Sequence, residues 1–231
     1  MDNIEKLIKE SLCHLPQIKC ENDSPNTYEG SGIIFSKTRD GEKRVSEQEA
    51  KILFCNLLLK NNIDFSIETP TIRMYKFTGE DKRSGNIDVC IFKKTKDVFQ
   101  RISCIEFKAH NVKEKDIKKD IEKLICENGK NYFIHILSNA DNGTLYKENP
   151  LKNKPIINKY ITALEKLYQI QANFISLTFY ICILKPEFCI IKKTIKTPRV
   201  LEDEMKLDYN IDSKEKIITI TKKYNNWERI K

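Results

Sequence analysis

Ile4, Leu7, Ile8 and Leu12 recur at helical spacing and predict a short amphipathic helix over residues 3–13. From Pro16 to Lys43 the chain turns polar, with Asn22-Asp23-Ser24-Pro25-Asn26 and Gly30-Ser31-Gly32 as turn signals. One strand-like run, Ile33-Ile34-Phe35, interrupts this stretch, which reads as a surface arm. A second helix runs from Ser46 to about Lys60, where Ser46 and Glu49 fit a capping box and Ala50, Leu53, Phe54, Leu57 and Leu58 form the buried face.

Strand-like runs follow: Asp64 to Phe77, a run ending Ile87-Asp88-Val89-Cys90-Ile91-Phe92, and Ile102 to Lys108. Thr78 to Gly85 reads as a polar connection between the first two and Lys93 to Arg101 as a loop between the last two. Ile117, Ile121, Leu124 and Ile125 mark a helix over 114–127 that stops before Gly129. Its polar positions, Asp120 and Lys123 among them, read mostly as surface charge pairs. A strand over 132–137, a helix over 156–170, a buried strand over 174–184 and an alternating strand over 216–222 complete the pattern. Helix, three strands, helix, strand is the order of an α/β domain: a mixed β-sheet flanked by helices. Residues 1–44 read as an N-terminal helix and polar arm, and 45–231 as one domain.

Two apolar strands carry charge, and that changes the picture from fold to chemistry. Alternation puts Glu106 and Lys108 on one face and Phe107 on the other. If the neighbouring strand pairs as a hairpin, Asp88 joins them. Two carboxylates can bind Mg²⁺, which keeps several waters and takes further ligands from phosphate, while the ammonium stabilises developing negative charge. A ladder of opposite charges across a hairpin is the competing explanation. On the capped helix, at about 100° per residue, Glu47 lies about 55° from the centre of the buried face and Glu49 about 105° away. Glu47 is therefore the glutamate that faces the sheet.

The 231 residues carry 41 Lys+Arg against 33 Asp+Glu, a net charge of +8 that suits polyanionic partners without requiring them. Lys192, Lys193, Lys196 and Arg199 form the cleanest basic run, with no acid among residues 188–201. The eight cysteines contain no Cys-x-x-Cys, and His14, His110 and His135 are scattered, so reduced thiols are expected rather than a disulfide framework or zinc site. The N-terminus shows no signal-peptide pattern, and the longest apolar run, Phe174 to Leu184, is too short to span a bilayer as a helix. A cytoplasmic protein with no membrane partner is the expectation.

The order of the helix glutamate, Asp88, Glu106-Phe107-Lys108 and the following helix resembles the PD-(D/E)xK nuclease superfamily over roughly residues 45–140. The family's proline is absent, since Asn86-Ile87 precedes Asp88. The resemblance implies a restriction-endonuclease-like sheet and metal-dependent hydrolysis of nucleic-acid phosphodiester bonds. It implies Asp88, Glu106 and Phe107 as the metal set, with Asp88, Glu106, Lys108 and Glu47 as catalytic residues. Mg²⁺ is the expected cofactor, with Mn²⁺ as a substitute. Nucleic acid is the expected partner, DNA ahead of RNA, with endonucleolytic cleavage favoured, and a homodimer is compatible with the pattern. The alternative is a non-catalytic nucleic-acid-binding or protein-interaction module on the same fold.

Overall fold

A computed structural model describes residues 3–20, 32–37, 39–76, 81–148, 150, 154–170, 173–199, 202–212, 214–220 and 227–231. The elements in chain order are α1 (Asn3–His14), a 3-10 turn (Leu15–Gln17), α2 (Glu47–Lys60), β1 (Phe65–Lys76), β2 (Lys82–Lys94), β3 (Phe99–Ala109) and α3 (Glu114–Cys126). They continue with β4 (Gly129–Leu137), α4 (Ile156–Leu167), β5 (Phe174–Ile183), β6 (Cys189–Ile195), α5 (Glu202–Met205), β7 (Tyr209–Asp212), β8 (Ile217–Ile220) and β9 (Glu228–Arg229). The turn over 22–26 and Tyr224 lie outside the described residues.

The main sheet has seven strands in the order β1-β2-β3-β4-β5-β6-β9. Its first three strands are antiparallel, the β3–β4 and β4–β5 pairs are parallel through α3 and α4, and the remaining pairs are antiparallel. A parallel pair needs a crossover, and the two amphipathic helices after β3 and β4 supply it. The result is a mixed α/β sheet flanked by helices.

Strand alternation divides the core in two. Val89, Ile91, Ile105 and Phe107 pack with α1 and α2, whereas Cys90, Cys104 and Phe133 pack with α3 and α4. Two-sided burial explains why β4 and β5 are almost continuously apolar. Described parts of the N-terminal segment join the first core: Ile8, Leu12 and Phe35 are fully buried. At Phe35 the chain is therefore packed against the domain, held by a bridge to Cys20, rather than projecting as a free arm.

Several boundaries differ from expectation. β2 begins at Lys82, and Lys76 pairs with Lys82, so residues 82–85 of the expected polar connection are strand, while 77–80 lie outside the described residues. Backbone pairing tolerates polar side chains that face solvent. The loop between β2 and β3 is likewise only residues 95–98, and Arg101 lies within β3, ion-paired with the fully buried Glu127. The strand near residue 217 pairs with β7 in a separate two-stranded sheet, while β9 completes the main one. All eight cysteines are free thiols, and Cys90 and Cys104 face each other with Sγ atoms 3.3 Å apart. No helix among the described residues is long and apolar enough to cross a membrane.

Candidate active site

β2 and β3 pair through Val89 and Ile105, which brings Asp88 beside the Glu106-Phe107-Lys108 segment. The Phe107 amide donates to Asp88 Oδ2 at 2.8 Å, fixing that carboxylate against the neighbouring strand. The Phe107 ring points the other way and packs on Phe54 of α2, with centroids 6.1 Å apart. Phe107 could therefore serve a metal only through its main-chain carbonyl.

Glu106 and Lys108 share the α3 side of the sheet, as alternation requires. Glu106 is only 2% exposed, Asp120 4% and Lys123 5%. Lys123 Nζ lies 2.5 Å from Glu106 Oε1 and 2.7 Å from Asp120 Oδ1, and it donates to the Asn86 carbonyl at 2.8 Å. Lys108 Nζ lies 2.8 Å from Asp120 Oδ2. Despite the short ion pair, Glu106 Oε1 has no well-aligned hydrogen-bond donor. Burial pushes the Glu106 carboxyl well above the usual range, and Asp120 and Asp88 push it further while Lys123 pulls it back. Burial works to lower the Lys108 ammonium, but Asp120, Glu47 and Glu106 outweigh it and the net shift is upward.

From the other face, α2 contributes two residues one turn apart. Ser46 caps the helix by accepting from the Gln48 amide at 3.2 Å and is also bonded to the Glu49 carboxylate. That leaves Glu47 facing the cluster, where Lys108, Asp88, Lys51 and Asp120 all act on it. Burial raises its pKa, with Lys108 the leading opposing influence. Lys51, i+4 from Glu47, bridges Asp88 Oδ1 at 3.2 Å and Glu68 Oε1 at 3.0 Å.

Asp88, Glu106, Lys108, Asp120, Lys123 and Glu68 line a cleft of about 560 Å³, with exposed Arg83 and Lys119 at its rim. Asp88, Glu106, Lys108 and Glu47 are thus brought together, and Lys51, Glu68, Asp120 and Lys123 join them without having been singled out. Asp120 and Lys123 are buried members of the cluster, not surface pairs. The signal was present: Asp120 is three residues after Ile117 and four before Leu124, on the apolar stripe itself. Lys51 repeats the helical phase of Glu47.

Among the described residues, no group of three or more His, Cys, Asp and Glu side chains is arranged to enclose a metal ion. The donors still fit a divalent cation that keeps waters: two carboxylates meet at the cleft, one with a buried, poorly aligned oxygen. The inner cluster sets Glu47, Asp88, Glu106 and Asp120 against Lys51, Lys108 and Lys123. The acids outnumber the ammoniums, and the two whose carboxyls are pushed up by burial, Glu47 and Glu106, are the ones that a nearby cation would favour ionised.

One other expectation changes. The basic run is split by strand alternation: Lys192 pairs with Glu5 and Glu228, each at 3.4 Å, while the next residue, Lys193, lies on the opposite face. Sequence-distant acids from α1 and β9 thus neutralise part of it. His110, just beyond β3, donates Nε2–H to the Val45 carbonyl at 2.6 Å and serves as a tie between β3 and the start of α2. No protein-family model and no curated protein sequence matches the chain.

Proposed function

We propose that this protein is a divalent-metal-dependent nuclease with a restriction-endonuclease-like core, acting on nucleic-acid phosphodiester bonds, with DNA favoured over RNA and internal cleavage favoured over cleavage from an end. The observation that carries the reading is the convergence of Asp88, Glu106 and Lys108 from β2 and β3 on one cleft, with the Glu47 carboxyl of α2 near enough for Lys108 and Asp88 to act on its charge. A surface charge ladder would not place a glutamate at 2% exposure, because burying an ionised group is costly without a strong partner.

Asp88 and Glu106, with the Phe107 carbonyl, would hold Mg²⁺ or Mn²⁺. When bound, the cation supplies Lewis-acid polarisation of a phosphoryl oxygen and acidifies a water molecule. The protein residues supply the rest. The Lys108 ammonium, kept protonated by its acidic neighbours, stabilises negative charge as it develops on the phosphate. Glu47, whose carboxyl is pushed up by burial, would hold a proton from the attacking water. Arg83 and Lys119 at the rim offer positive charge to flanking phosphates.

One observation favours the non-catalytic module on the same fold. Asp88, Glu106 and Lys108 each already have an ion-pair partner, in Lys51, Lys123 and Asp120. Incubation of purified protein with labelled DNA and RNA panels, with Mg²⁺, Mn²⁺ or EDTA, separates the readings. Metal-dependent cleavage lost in Asp88→Asn supports the nuclease. No cleavage of any substrate with either metal sinks it in favour of the module.

A further inference from the structure

Lys123 stands where a cation belongs. Its ammonium is surrounded by Glu106 Oε1 at 2.5 Å, Asp120 Oδ1 at 2.7 Å and the Asn86 carbonyl at 2.8 Å. These are three hard oxygens, two of them carboxylate, which is the donor class that Mg²⁺ and Mn²⁺ take. Lys51 at Asp88 is differently placed, because its other partner, Glu68, is exposed and gives it somewhere to retreat.

We infer that Lys123 is a resident counter-cation of the cleft: it holds Glu106 and Asp120 together in the metal-free protein and competes with a divalent cation for Glu106. The inference rests on the reading of this cleft as a metal site. Without Lys123, the two acids on β3 and α3 would face each other across a buried space, and like charges there repel strongly. A divalent cation bound at Glu106 would stand beside the Lys123 ammonium, and like charges that close repel. The unfavourable contact is relieved if Lys123 moves off Glu106, and its flexible four-carbon stem permits that. Lys123 is therefore a positioning residue whose removal frees the site for metal while loosening the metal-free fold.

A competing lysine and a purely supporting one have opposite effects on metal affinity. A lysine that only orients Glu106 would, when neutralised, weaken metal binding. A competing lysine would, when neutralised, strengthen it. The experiment compares wild type, Lys123→Met and Lys123→Gln by Mn²⁺ titration using electron paramagnetic resonance, with thermal unfolding in EDTA and in Mn²⁺. Gln keeps a donor for the Asn86 carbonyl and guards against loss of folding in the Met variant. Both variants should bind Mn²⁺ at least about tenfold tighter, since a unit charge some 4 Å away has an effect of that size or larger even at high effective dielectric. They should also unfold earlier than wild type in EDTA and gain more from Mn²⁺.

Mn²⁺ affinity that is unchanged or weaker in folded variants would overturn the role given to Lys123. If wild type still cleaves nucleic acid in that case, the nuclease reading survives alone. Tighter Mn²⁺ binding by the variants, with no cleavage by wild type, would support the counter-cation and sink the nuclease. No Mn²⁺ binding by any of the three proteins would remove both.

Discussion

Asp120 and Lys108 meet across the cleft, carboxylate Oδ2 to ammonium at 2.8 Å, although one belongs to α3 and the other to β3. The same carboxylate holds Lys123, so Asp120 fastens two lysines of the cluster to the helix that crosses over the sheet. Asp120→Asn keeps the shape and removes the charge. Removing one member of a buried ion pair is strongly destabilising, and about 3 kcal/mol is expected here, because Lys123 keeps Glu106 and Lys108 is partly solvated. Urea denaturation measures it; a loss below about 0.5 kcal/mol would mean that Asp120 is dispensable to the network.

Lys108 and Asp88 should fail in different ways. Lys108→Ala should change Mn²⁺ affinity less than loss of Lys123 does, because its ion-pair partner is Asp120 rather than Glu106, and should slow cleavage by about 10²–10³-fold, the usual effect of losing one electrostatic contact to developing charge. Asp88→Asn should abolish cleavage through metal affinity, with partial rescue by excess Mn²⁺. Paired titration and cleavage assays decide it, and undiminished cleavage by Lys108→Ala would leave that lysine with a structural role only.

Glu47 and Glu49 sit two residues apart and do separate jobs. Glu49 is bonded to Ser46 at the helix start, whereas Glu47 faces the charged cluster. Glu49→Gln should lower stability by about 1 kcal/mol with little effect on rate. Glu47→Gln should reduce cleavage with little effect on stability. The reverse pattern in denaturation and rate measurements would exchange the two assignments.

What the sequence revealed and what it hid divide along physical lines. Periodicity exposed α2, α3 and α4, because each buries one stripe against the sheet, the apolar run exposed β3, and the capping box separated Glu47 from Glu49 within one turn. Partners that meet only in three dimensions left no local trace. Glu5 and Glu228 reach Lys192 from opposite ends of the chain, so one lysine of the basic run is neutralised by acids that the sequence places far away. Asp120 and Lys123 looked like surface charges because charge usually means exposure, yet each satisfies the other in the cleft. β9 has only two residues and no periodicity to detect.

Gly129 opens β4 with φ +97°, and a Cβ there would lie 2.1 Å from the Ile102 carbonyl oxygen. The α3-to-β4 passage therefore needs glycine both for its backbone conformation and for its close approach to β3. Gly129→Ala should cost at least about 2 kcal/mol and push β3 away from β4. Chemical denaturation tests the first effect. An alanine variant as stable as wild type would show that the passage adapts.

His135 makes stability depend on pH from within the core. The ring is fully buried. Nε2 lies 2.6 Å from the His110 carbonyl oxygen, which can only accept, so Nε2 carries the proton. Nδ1 is then free to accept from the Tyr160 hydroxyl at 2.7 Å. Both ring nitrogens are satisfied by the neutral tautomer, and burial holds the pKa down at about 4, against an ordinary 6.5. Above pH 6.5 neither the folded nor the unfolded chain protonates this ring, so the group brings no penalty. As pH falls from 6.5 towards 4, the unfolded chain takes up a proton that the folded protein refuses, and stability is lost. The total is on the order of 3 kcal/mol by pH 4. Carboxylates titrate in the lower part of the same window, so wild type alone cannot isolate the effect. His135→Gln removes the titrating ring and keeps an amide donor for the His110 carbonyl. Its unfolding free energy should start lower near neutral pH and fall less steeply between about pH 6.5 and 5. Parallel curves for the two proteins over that interval would mean that His135 protonates as readily inside the fold as outside it.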